Sequence, residues 1–279
     1  MLSNFIPEVY SDLLMMDRDK ETVFAKLVNR DYEGEISQMG DVVHITGLQD
    51  PTIRGYTKGA TLVAEYLKDN TVDLVIDQAN YFNVLLDDMD KKQAASDPTP
   101  ETIRRARLGF ADKMDQYIAA MYGQACTSIS QTQVISSNVI STLSSGLTKL
   151  RENSVPTSET VYLVASPRIA EKIMLAEIVY DTDNSDTLNN GLIGRIKFLN
   201  MEVYTSVNIV SSNNVDYCMM FTKQAISLAE QVPVGTIEKL RSPDTLADIV
   251  RGFHLFGAKV LKPKELVTLA LTPGKESAI

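Results

Sequence analysis

The strongest claim to chemistry lies in the acidic run YDTDNSDT at residues 180–187, where Asp181, Asp183, Ser185 and Asp186 offer the oxygen ligands that calcium takes. A helix-loop-helix calcium loop needs glycine at its sixth position and glutamate at its twelfth. Those positions hold Asp186 and Leu192, so a solvated acidic loop is the favoured reading. His44 and His254 are the only histidines, and neither has a nucleophile or second ligand close in sequence. Both read as packed or surface residues. Cys126 and Cys218 lie far apart without metal-type spacing and read as free buried thiols in a reducing compartment. Gly191 and Gly194 lack the third glycine and the lysine of a phosphate loop, and the nucleophile-elbow pattern is absent. Lys262 and Lys264 flank Pro263 in a small basic spot, read as a solvated rim. No catalytic, cofactor or metal residue is assigned, and the chain reads as a non-enzyme.

Composition narrows the partners. The 279 residues carry a net charge of −9, with 44% apolar and 23% charged residues, the balance of a folded chain able to bury a sizeable core. A nucleic-acid surface needs clustered Lys and Arg, which this acidic balance opposes. The first residues, MLSNFIPEVY, lack the basic start and apolar run of a secretory signal, and no stretch approaches a membrane span, so synthesis in the cytosol is expected.

The elements that would hold any site are clearer than the site. Residues 99–123 form the longest helical pattern: Thr99 can cap it, Pro100 suits its first position, and Ile103, Ala106, Phe110, Met114, Tyr117, Ile118 and Met121 recur at spacings of three and four. Arg104, Arg105, Asp112, Lys113 and Asp115 fill the polar arcs. At the helical rise this rod spans roughly 36 Å. Before it, Val43 and Ile45, then Val72, Leu74 and Ile76, alternate with other residues as strands do. Residues 47–70 between them carry three charges of each sign and the turn formers Pro51, Gly55 and Gly59. That connection is long for a compact domain, and it reads either as a surface loop or as a ribbon that reaches a neighbouring subunit. Residues 81–87 form a third strand.

Residues 1–38 mix an apolar cluster, Phe5, Ile6, Val9, Tyr10, Leu13 and Leu14, with charges, and read as an arm that orders on a partner surface. Beyond Gly123, a polar stretch to Ser141 marks a composition shift. A helix over 142–153 follows, then a strand at Val161–Ala165, and then a helix capped by Ser166 with Pro167 at its first position. Gly191 and Gly194 frame Leu192 and Ile193 in what reads as a turn, and Met201, Val203 and Tyr204 precede a short strand. Others are expected at Tyr217–Phe221 and Ala225–Val232, and one interrupted at Pro263 over Gly257–Leu271. Alternating helix and strand over 142–250 fits an α/β domain.

This order of elements resembles the major capsid protein of tailed double-stranded DNA bacteriophages, the Hong Kong-type capsid fold shared with encapsulin shells. Three passages carry the resemblance: GDVVHITGLQDPTIRGYTKG at 40–59, YLVASPRIAEKIM followed by GLIGRIKFLNMEVYTSVNI at 191–209, and RGFHLFGAKVLKPKELVTL at 251–269. The resemblance implies an α+β fold with an N-terminal arm (1–38), a peripheral domain (39–132) bearing an extended hairpin loop at 47–70 and a spine helix at 99–123, an axial α/β domain (133–250), and a peripheral return strand with the C-terminus (251–279). It also implies that Arg54, Gly55, Lys58 and Gly59 contact an adjacent subunit from the loop, that Phe5, Ile6 and Tyr10 grip another through the arm, and that Gly191, Gly194 and Asn208 lie with Val203 and Ser206 around capsomer centres.

As a function, the resemblance implies a self-assembling structural coat protein without cofactors. Pentamers and hexamers would close an icosahedral virion head around double-stranded DNA, without sequence-specific binding or a membrane, after assembly in the host cytoplasm. Separate scaffolding, portal and decoration proteins would be its partners. Two other readings stand beside it: an encapsulin-type shell around cargo enzymes, and a cytosolic α/β enzyme whose site forms from scattered residues.

Overall fold

The computed structural model describes residues 22–32, 42–48, 51–59, 61–62, 64–66, 69–93, 99–176, 192–196, 200–232 and 237–275. Three sheets and a long helix organise them. Strands β1 (Val42–Leu48) and β2 (Asp69–Val75) form an antiparallel pair in continuous register from Val42 opposite Val75 to Leu48 opposite Asp69. The second sheet is built on β12 (Ala247–Val260). Along one edge β12 pairs with β3 (Gln78–Asp87); along the other it pairs with β10 (Ile226–Val232) and β11 (Ile237–Arg241). The third sheet has seven strands. It runs β4 (Thr127–Val134), β13 (Leu266–Pro273), β9 (Val215–Thr222), β5 (Val161–Ala165), β7 (Met201–Thr205) and β6 (Leu192–Ile196), and β8 (Ser211–Ser212) pairs with β9.

Five α-helices complete the described architecture: α1 (Phe24–Leu27), α2 (Asp88–Gln93), α3 (Thr99–Ala119), α4 (Ser136–Glu152) and α5 (Pro167–Leu175). The spine helix α3 continues into a 3-10 turn at Ala120–Gln124, so the rod expected from the apolar spacing is present. Phe110, Met114, Ile118 and Met121 are buried, while Ile103 and Ala106 at its open end are only half-buried. Arg104 and Arg105 bond to Glu101 one turn earlier and hold its carboxyl down to about 2. The α5 entry follows the sequence too, since the Ser166 hydroxyl accepts the Ile169 amide at 3.3 Å with Pro167 at the first position.

Four expectations are corrected. The helix expected at 142–153 begins at Ser136: the Asn138 side chain accepts the Ile135 amide at 2.9 Å and donates to the Gln133 carbonyl at 3.1 Å, so a polar stretch opens the helix. The single strand expected over 257–271 is two strands in two sheets, because a 3-10 turn at Pro263–Glu265 redirects the chain between β12 and β13. The first half of β12 carries Asp248 and Arg251, which pair with Arg241 and Glu238 directly across on β11, and these charges hide a 14-residue strand from a hydropathy reading. Residues 22–32, placed in an arm that needs a partner to order, pack into their own subunit: Val23, Phe24, Leu27 and Val28 are buried, and Phe24 stacks on Phe221 at 6.4 Å. Asp115, assigned to a polar arc, is fully buried.

Candidate subunit-contact surfaces

The β1–β2 ribbon projects from the body, and its end is uncovered. Ile53, Tyr56, Leu62 and Tyr66 are 96%, 68%, 81% and 99% exposed, an apolar display that no element of its own subunit covers among the described residues. Glu65 ties the two legs together, accepting the Thr52 amide at 2.6 Å and an Arg54 guanidinium N–H at 3.4 Å. Arg54, Gly55, Lys58 and Gly59 all lie on this exposed end. Gly59 has φ +89°, a left-handed conformation that glycine adopts without strain, so it turns the ribbon tip. His44 is also on the ribbon, exposed and 2.7 Å from Asp73 across the strand pair.

At its root the ribbon becomes part of the body. Leu74 and Val43 are buried with Ala229, flanked by Tyr32, Ile45 and Ile76. The chain turning from β2 into β3 lies directly on Gly257 of β12: a Cβ there would stand 2.1 Å from the Val75 carbonyl oxygen. The Tyr117 hydroxyl of the spine helix donates to the two Asp77 oxygens at 3.2 and 3.4 Å, and its ring meets Phe256 edge-on at 5.6 Å.

The described base of the arm is tied down by charge as well as packing. Asp115 accepts the Val23 amide at 2.7 Å and the Ala25 amide at 3.1 Å, so the spine helix satisfies backbone donors at the start of α1. Burial pushes its carboxyl upward, against the pull of these amides. Arg30 bonds Glu230 at 2.7 Å, and Asn29 bridges to Ser227 on β10. His254 is fully buried between Phe110 and Phe256, with Nε2 3.6 Å from Glu230, and belongs to the core. Although burial opposes it, contact with His254 and Arg30 holds the Glu230 carboxyl below its usual value. Phe5, Ile6 and Tyr10 lie outside the described residues.

In the seven-stranded sheet, Gly194 lies opposite Val203 in β6, a strand paired with β7 where the glycine spacing suggests a turn. Asn208 is buried, and its side-chain amide donates to Asp112 of the spine helix at 2.8 Å, joining this sheet's loop to the rod. Gly191 and the acidic run 181–186 lie outside the described residues. At the same sheet's end, buried Asp216 accepts from Ser166, Arg168 and Ser211. The tight turn between β8 and β9 is made by Asn213 and Asn214 at φ 51° and 62°, and Arg168 donates to Asn214 at 2.7 Å. Of the two cysteines expected to be buried, Cys126 is instead exposed just before β4, and Cys218 is buried with its thiol pushed up to about 12. Among the described residues no three metal-ligating side chains cluster, and no helix is long and apolar enough to cross a membrane.

Asp115, Tyr117, Asp216 and Gly257 carry much of this arrangement, yet the sequence marked only Tyr117, as one residue of an apolar stripe, and Asp115, on a polar arc. Ser211 apart, which is five residues from Asp216, the partners named for them lie 40 to 182 residues away in the chain. No local pattern marks such pairs.

The family model for phage capsid protein matches residues 32–272. The chain belongs to the phage capsid protein family. A solved structure from Mycobacterium phage Che8 is 30% identical to the capsid protein over 96% of this chain and 97% of that one, with a TM-score of 0.81. The capsid of cyanophage P-SCSP1u, 16% identical over 98% and 94% of the two chains, has a TM-score of 0.74. The capsid of Ralstonia phage GP4, 15% identical over 99% and 97%, has one of 0.72. No curated protein matches the chain. The capsid protein therefore has the mixed α+β Hong Kong-type fold and is a structural major capsid protein of a tailed phage.

Proposed function

We propose that copies of this capsid protein close into an icosahedral head of pentamers and hexamers around double-stranded DNA, and that no bond-making chemistry is needed. The observation that carries the reading is the ribbon end, with Ile53, Tyr56, Leu62 and Tyr66 uncovered by their own subunit. Apolar area of this kind gains stability only when a neighbour removes it from water. In this reading Arg54, Gly55, Lys58 and Gly59 rest on an adjacent subunit, Phe5, Ile6 and Tyr10 grip another, and the Gly191–Gly194 segment meets its copies around capsomer centres together with the loop of Asn208. Many modest interfaces repeated over a closed lattice let wrong contacts reopen and still give a stable particle. The acidic balance, −9 over the chain, suits a container whose wall leaves long DNA free to move. Scaffolding, portal and decoration proteins would be separate partners, with assembly in the host cytoplasm. The phage capsid family match favours this head over a shell for cargo enzymes.

Electron microscopy of the purified protein tests the proposal. Closed shells, or rings of five and six, are expected; a compact monomer at every concentration would overturn it.

A further inference from the structure

The ribbon could serve a shell in two ways, as a loose strap that finds its neighbour or as a beam aimed by its own subunit. Its root bears on the choice. Beyond the buried Leu74 and Val43, two further contacts hold the β2–β3 turn. The turn rests on bare backbone at Gly257, where a Cβ would also come within 2.9 Å of the Ile76 Cα. In addition, Tyr117 reaches from the spine helix to Asp77, the last residue before β3. The Tyr117 ring is itself braced by Phe256, the neighbour of Gly257 in β12. Phe256 also faces Gln78, where the β3–β12 ladder begins, so the ribbon leaves the sheet at this point. Burial and the adjacent Asp77 carboxylate raise the Tyr117 phenol above its ordinary value, which keeps the hydroxyl a donor.

We infer that Gly257, Tyr117 and Asp77 form a joint that sets the direction in which the ribbon leaves its subunit, and thereby the geometry at which copies meet. The inference rests on the shell reading for its consequence, but the aiming itself is a property of one subunit. These are positioning residues. A strand pair hinged at one end magnifies a small rotation at its root into a large displacement at its tip. Tyr117 and Asp77 contribute a hydrogen bond that is partly open to solvent, and its loss leaves the buried packing around Leu74 in place.

The experiment compares the full chain with Tyr117→Phe, Asp77→Asn and Gly257→Ala. Spin labels at Lys58→Cys on the ribbon end and Lys223→Cys on the body, in a Cys126→Ser background, report the ribbon direction in unassembled subunits. Thermal melting reports the fold, and electron microscopy reports the shells. For Tyr117→Phe and Asp77→Asn, melting close to that of the parent chain is expected with a shifted or broadened label distance. Closed shells should fall about tenfold in favour of irregular assemblies, a factor on the scale of one hydrogen bond lost per subunit. Gly257→Ala should move the label distance further, since backbone must give way to its Cβ. An unchanged distance distribution in all three variants would overturn the joint, as would wild-type shells from both conservative variants. If the parent chain forms no shells, the shell reading fails, and the label distances still decide whether the joint aims the ribbon.

Discussion

Asp115 has no exposed surface, yet it is the residue through which the spine helix holds the base of the arm. Asp115→Ala leaves two buried amides unpaired and should lower subunit stability by about 1 to 3 kcal/mol, as urea titration would read. The pH dependence has a definite sign. Burial raises this carboxyl, so the folded chain keeps its proton to higher pH than the unfolded chain does. As pH climbs from the ordinary carboxylate value to the raised one, only the unfolded state has released its proton, and stability falls before levelling off. Asp115→Asn should flatten that falling limb; an unchanged slope would assign it to another group. The sequence placed Asp115 on a polar arc because spacing along one helix says nothing about which distant amides will face it. Ser166 was legible for the opposite reason, since a cap acts three residues away on its own helix.

Among the elements, the ribbon is the one whose apolar end its own subunit leaves exposed. An isolated strand pair is marginal in water, and this one draws its own support from the root residues Val43 and Leu74. Replacing Pro51–Tyr66 by a two-residue turn should therefore leave the melting temperature of the subunit nearly unchanged while abolishing particles. Normal shells from that variant, seen by electron microscopy, would remove the ribbon from assembly. Its two strands were visible in the sequence as a change of period at residues 42–46 and 71–77, and in the fold they run over Val42–Leu48 and Asp69–Val75. What remained open was whether 47–70 lay on its own body. Both outcomes use the same turn residues, and only the surrounding structure separates them. β12 was obscured differently: its charges Asp248 and Arg251 are matched by Arg241 and Glu238 across strands, a compensation invisible in one dimension.

At the scale of the whole molecule, copies that each carry −9 repel one another before their apolar surfaces meet. Added salt shortens the range of that repulsion, to about 10 Å at 0.1 M. Light scattering should accordingly show faster assembly as salt rises from low concentration; slower assembly would mean that ion pairs across the interfaces dominate instead. The sequence alone determined the elements whose causes are local: the spine helix from its apolar spacing and Pro100, the β5–α5 unit from Val161–Ala165, Ser166 and Pro167, and the class of a folded, acidic chain. Tertiary structure alone decided that β12 and β13 enter different sheets, that residues 22–32 pack into the core, and that Gly257 and Asp115 each meet backbone far away in the chain. The division follows range: periodicity and capping act over a few residues, whereas burial and close approach are set by which distant segments the fold brings together.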